Sequence, residues 1–215
     1  AWSPDGKEIA FHSFRNGNRD VFIISAAGGP AEPAVATPAQ ERSADWSPDG
    51  RQLVFISNQT GRNELYVVSR EGRKWGTPRR VTRDLGSPRG GGGFRWSPDG
   101  RFIAYLGDQS LEIIAPAVGE PRKLVDASDP PAQPVPERLA WSPNSRLVYY
   151  VAHDARGQAG LWSVALTGGP PRLLVRFDDP ATDFGRGRFA VSGKRFYFPL
   201  ERRESDIWTA EVLTR

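Results

Sequence analysis

The chain carries few side chains suited to bond-making chemistry. His12 and His153 are the only histidines in 215 residues, and cysteine is absent. Disulfides, thiolate metal sites and a cysteine nucleophile are thereby excluded. His153 stands beside Asp154, which could orient the ring for proton transfer. No nucleophile accompanies it, and no G-x-S-x-G elbow occurs. His12 lies in an apolar run, IAFHS, where parallel runs carry Ile56, Leu106 and Val151. A packed or channel-facing role accounts for it better than a base. The acids Asp129, Asp178 and Asp179 sit near prolines, where turn and cap roles explain them, and carboxylates alone make a weak metal site. We therefore expect no catalytic residue, no cofactor and no metal.

Arginine is the one abundant reactive type. It supplies 25 of the 29 basic residues; the net charge is +4 and the pI about 9.7. A guanidinium grips carboxylate or phosphate in a bidentate way. No basic run of five or more occurs, so no nucleic-acid partner is expected. Nor does any apolar run approach the ~18 residues that span a membrane, so direct insertion is not expected. The Gly-rich stretch SPRGGGGF at 87–94 could cradle a phosphate only if a helix followed it. RWSPDG follows instead, and a flexible connector is the simpler reading.

What must position these side chains is a repeat. WSPDG stands at 2–6, 46–50 and 96–100, a worn copy WSPNS at 141–145, and FAVSG at 189–193 takes the same place. Each copy continues with an aromatic and β-branched run (EIAFHS, QLVFIS, FIAYLG, LVYYVA, RFYFPL), a polar loop, and a second such run (DVFIIS, ELYVVS, LEIIA, LWSVAL, DIWTAEV). Glycine closes most of these, and short runs such as RRVT, RKLV and RLLV follow. About four strands per repeat of this length, with no helical period between them, describe a propeller blade. The blades fall at about 1–37, 38–82, 83–126, 127–176 and 177–215 of a single domain.

The phrase itself reads as a hairpin. Pro suits the second position of a type I turn, and Gly the left-handed position that closes it. The preceding Trp can wedge between blades. An Asp that recurs in every good copy is not a single active site.

The pattern x-W-S-P-D-G-(K/R)-x-(I/L)-x-(F/Y), then a strand like ELYVVS, then Gly, then RRVT, resembles the WD40-like repeat of TolB-type β-propellers over nearly the whole chain. The resemblance implies an all-β propeller of four-stranded antiparallel blades, five of them visible, within a six-bladed TolB-like ring. It also implies a non-catalytic module that binds a protein or peptide partner through funnel-mouth loops in the bacterial periplasm or another extracytoplasmic space. The repeat is also similar to the gating propellers of prolyl-oligopeptidase-type serine peptidases and to sensor propellers of receptor kinases and transcription regulators. Because the chain opens inside a motif copy, we read it as part of a longer protein and expect an open five-blade arc, with a closed five-blade ring as the alternative.

Two loop sets should share the mouth: those joining second to third strands, and those joining one blade to the next. Their arginines, Arg15, Arg19, Arg62, Arg83, Arg89, Arg156, Arg186, Arg202 and Arg203, are the candidate contacts for a partner, which would then be acidic.

Overall fold

In the computed structural model, residues 1–83, 93–117, 119–128, 135–153, 158–177, 182–184, 189–192, 195–197 and 200–202 are described. They contain strands and turns and no helix. Blade one has β1 (Glu8–Ser13), β2 (Asp20–Ser25) and β3 (Glu32–Val35), with Trp2 bridging to Ile9 on the inner side. Blade two has β4 (Glu41–Trp46), β5 (Gln52–Ser57), β6 (Glu64–Glu71), β7 (Lys74–Trp75) and β8 (Arg79–Arg80). Its outermost strand is split, because β6 pairs with both β7 and β8. Blade three has β9 (Phe94–Trp96), β10 (Ile103–Leu106), β11 (Ser110–Ile114) and β12 (Arg122–Asp126). Blade four has β13 (Val135–Trp141), β14 (Leu147–His153), β15 (Ala159–Ala165) and β16 (Arg172–Arg176). In these four blades neighbouring strands are antiparallel and, apart from the β6–β8 pairing, follow sequence order.

In the last repeat, β17 (Thr182–Phe184) pairs with β20 (Leu200–Arg202), and β18 (Ala190–Ser192) with β19 (Arg195–Tyr197). Its hairpin is slipped relative to the others. Val191 faces Phe196 there, whereas Trp46 faces Leu53 across the longer WSPDG turn. The third strand expected at DIWTAEV lies outside the described residues.

Sandwiching between neighbours explains the unbroken apolar strands. In β5, Leu53 and Phe55 pack toward blade one, while Val54 and Ile56 pack toward blade three. A strand covered on both faces has no solvent side to be polar on. The wedge role of the tryptophan holds. Trp46, Trp96 and Trp141 join the clusters between blades one and two, two and three, and three and four, and Phe189 joins the one between four and five. Each is 4–7% exposed. Trp2, at the same register on the outer side of blade one, is 63% exposed.

The repeated phrase is a hydrogen-bonded unit. Gly50 N–H donates to Ser47 O at 2.9 Å, closing the turn, and Gly50 takes φ 68°. Ser47 Oγ donates to Asp49 Oδ1 at 2.6 Å, and Arg51 N–H donates to the same oxygen at 3.0 Å. Ser3–Asp5 and Ser97–Asp99 repeat this at 2.7 and 2.6 Å. In the worn copy, Asn144 Oδ1 accepts from Ser142 at 2.8 Å and from Arg146 N–H at 3.1 Å. Asn thus keeps the acceptor that the turn needs. Ser145 takes the glycine place at φ 58°, a conformation that strains a residue with a Cβ.

Candidate functional site

Direct hydrogen bonds bring the two expected loop sets together at one end. Asn18, in the loop after β1, donates through Nδ2 to the carbonyls of Thr37 and Ala39 at 2.6 and 2.5 Å. Arg19 O accepts from Glu41 N–H at 2.7 Å, and Gln40 N–H donates to Asn58 Oδ1 at 2.8 Å. The loops after β1, before β4 and after β5 therefore form one linked surface. The WSPDG turns lie at the opposite end. They bond to the starts of the third-to-fourth strand loops, as when Ala26 N–H donates to Lys7 O at 2.8 Å.

Two buried carboxylates hold the mouth from below. Asp20 is 1% exposed and Glu41 0%. Asn16 Nδ2 donates to Asp20 Oδ2 at 2.9 Å; Thr37 Oγ1 and Ser57 Oγ donate to Glu41 Oε1 at 2.7 and 3.0 Å. Asp20 Oδ1 and Glu41 Oε2 have no protein partner. Burial pushes the Glu41 carboxyl above the ordinary carboxylate range; its two hydroxyl donors oppose this, and the charge of Asp20 adds to it. In blade two the matching carboxylate, Glu64, is also buried, but it has a cation in Arg80 at 3.5 Å.

Successive residues of an extended strand point to opposite sides. The arginines beside these carboxylates, Arg19 and Arg42, are half-buried and carry the positive character of this end. The Arg19 guanidinium lies 4.6 Å from the centre of the Phe14 ring, which is itself well exposed. Burial lowers the Arg42 pKa and the charge of Arg19 lowers it further. His12, exposed at the end of β1, is held below its ordinary range by partial burial of the ring and by the charges of Arg19 and Arg42. His12 thus departs from its buried counterparts Ile56, Leu106 and Val151.

The other expected contacts scatter. Arg15 stacks on the outer face of blade one, 4.5 Å from the Phe22 ring and 5.6 Å from that of Phe11. Arg62 is exposed beside Thr60 on the loop after β5. Arg83 lines a cleft of about 510 Å³ between blades two and three with Arg79, Arg80, Thr82 and Glu120. Arg89, Arg156, Arg186 and Arg203, with Asp129, Asp154, Asp178, Asp179 and residues 87–92 of the Gly-rich stretch, lie outside the described residues, as does the side chain of Arg202.

His153 finds its carboxylate elsewhere in the chain. Its Nδ1 is 2.8 Å from Glu137 Oε1, across the β13–β14 pair. Sequence reasoning passed over Glu137 because contact across strands does not show as adjacency. Arg42 and Arg79 were missed for a related reason. One precedes a β-bulge between Arg42 and Asp45, and the other stands in a run read as an outer strand. No group of three or more potential metal-ligating side chains occurs among the described residues.

Comparison with known proteins agrees with this architecture. The TolB beta propeller domain model matches residues 1–181. No curated protein matches the chain. Among solved structures, a TolB from Agrobacterium tumefaciens is 20% identical with a TM-score of 0.64, over 81% of this chain and 63% of that one. TolB from Acinetobacter baumannii is 17% identical with a TM-score of 0.62, over 94% of this chain and 50% of that one. A puromycin-hydrolyzing peptidase of Mycobacterium tuberculosis is 18% identical with a TM-score of 0.58, over 82% of this chain and 28% of that one. Likenesses at these identities concern the fold, and the chain spans about half to two thirds of the two TolB structures. With strands, wedge tryptophans and hairpins that repeat along the chain and a family model that matches residues 1–181 of 215, the chain belongs to the TolB β-propeller domain family.

Proposed function

We propose that this propeller is a non-catalytic binding module that recognises a protein or peptide through the loops of its mouth. The observation that carries this reading is the contrast between the two ends. At the turn end the first four copies repeat one hydrogen-bonded phrase around Asp5, Asp49, Asp99 or Asn144. At the mouth no two loops share a sequence, yet those after β1, before β4 and after β5 are tied into one surface through Asn18, Gln40 and Asn58. A rigid scaffold with variable loops is the usual place for recognition. The fold likeness to TolB structures supports reading it as a module of the periplasm or another extracytoplasmic space of a bacterium. A second reading, a gating propeller beside a peptidase domain, draws on the fold likeness to the puromycin-hydrolyzing peptidase.

Fluorescence anisotropy with labelled acidic, neutral and basic peptides tests the binding reading. Acidic peptides should bind, and should weaken as salt is raised from 50 to 200 mM because exposed charges are screened. Equal binding of all three, or of none, would overturn it.

A further inference from the structure

Two half-buried arginines of this protein have a carboxylate partner. Arg70 pairs with Glu8 at 2.6 Å and Arg138 with Glu137 at 4.0 Å. Arg19 and Arg42 differ from these two. Both are half-buried, and neither has an ion pair among the described residues. The acids next to them in sequence, Asp20 and Glu41, are fully buried and bonded to Asn16, Thr37 and Ser57. Arg19 Nε is itself buried with no partner. Like charges gathered without a counter-charge cost free energy, and such a cost marks a place where a ligand supplies what is missing.

Local geometry prepares the site. Phe14 takes one face of the Arg19 guanidinium at 4.6 Å. Stacking engages the face of the fork and leaves its terminal Nη donors for a planar carboxylate. Arg42 opens the bulge that ends at Asp45, and Ser43, next to it, takes φ 59°. A bulge with a non-glycine residue in the left-handed region re-aims a side chain at a local cost. His12 adds a third nitrogen-bearing side chain, from β1.

We infer that Arg19 and Arg42, flanked by His12 and Phe14, form a receptor for a carboxylate of the partner, an Asp or Glu side chain or a chain terminus of an acidic peptide. This rests on the mouth-binding reading above and names its subsite. Two charge-assisted contacts through planar forks would give the site its selectivity.

The test uses the 215-residue chain and two labelled peptides, one carrying Asp and Glu and one with Asn and Gln at the same positions. Kd is read by anisotropy and Tm by circular dichroism. The acidic peptide should bind at least ~10-fold tighter than its amide counterpart. Arg19→Gln and Arg42→Gln should each weaken it ~10-fold or more, with Tm unchanged or raised, because each removes an unpaired charge. Arg42→Lys, which keeps the charge but not the fork, should show an intermediate loss; this variant decides the matter if either Gln variant lowers Tm. If the Arg variants bind the acidic peptide as tightly as the parent, the subsite is overturned while the mouth reading stands. If the parent binds neither peptide, both fall.

Discussion

Replacing Asp49 separates an architectural role for the repeated phrase from a functional one. Asp49 Oδ1 accepts from Ser47 Oγ at 2.6 Å and from Arg51 N–H at 3.0 Å, and Ser47 Oγ accepts from Gln52 N–H at 2.9 Å. In Asp49→Ala the exposed Arg51 N–H turns to water, but Ser47 is buried and its hydroxyl loses its acceptor. A hydrogen bond to a charged group contributes roughly 1.5–3 kcal/mol. Discounting for the exposure of Asp49, the expected loss is about 1–2 kcal/mol. For a domain of this size that is about 2–8 °C in Tm. Asp49→Asn keeps the acceptor, as Asn144 does at 2.8 and 3.1 Å, and should cost under ~0.5 kcal/mol, the range of neutral surface changes.

The pH dependence follows from the same contacts. The Ser47 hydroxyl, then the Arg51 N–H and the Arg51 charge, outweigh partial burial and hold Asp49 below its ordinary 3.8. A depressed carboxylate stabilises the fold above its unfolded pKa, and that contribution is lost as pH falls through the folded value. The parent should therefore lose Tm below pH ~4 more steeply than Asp49→Asn. Thermal unfolding followed by circular dichroism at pH 7 and pH 3 reads both effects. The reasoning is refuted if Asn costs as much as Ala, or if either variant abolishes peptide binding while Tm holds.

Two more perturbations probe the core and the mouth. Trp96→Ala should cost about 3–5 kcal/mol by emptying the wedge between blades two and three, whereas Trp2→Ala, at an exposed position, should stay within about 1 kcal/mol; thermal unfolding followed by circular dichroism reads both. Glu41→Gln should raise Tm at pH 7. Its carboxyl is held above 4.5 by burial, so the ionised form weakens the fold at neutral pH and the penalty fades as pH falls toward 4.5. The parent should gain Tm over that window and the variant should not; a parallel response in both would count against the buried pair.

Much of the architecture was legible from spacing alone. A phrase that returns every 44–50 residues, with an aromatic before it and apolar runs after it, allows few packings. The blade order, the wedge tryptophans and the hairpin with its left-handed glycine all followed from local chemistry. The split outer strand of blade two did not, because β7 and β8 both pair with β6, and that choice depends on which edge is free.

The candidate site was less legible. Arg19 stood among nine loop arginines, and nothing local separated it from Arg15. In the fold Arg15 covers Phe11 and Phe22, while the charge of Arg19 acts on Arg42 and His12. The bulge at Arg42 breaks the period-two pattern by which strand faces are read, and Glu137 reaches His153 across a strand pair.

The sequence by itself determined the repeat, the turn chemistry and the apolar faces, because those are set by backbone preference and by residues within about fifty positions. Only the tertiary structure decided which charges are compensated. Whether Arg42 has a carboxylate beside it depends on how blade one stands against blade two, and no spacing along the chain encodes the distance between side chains on separate sheets.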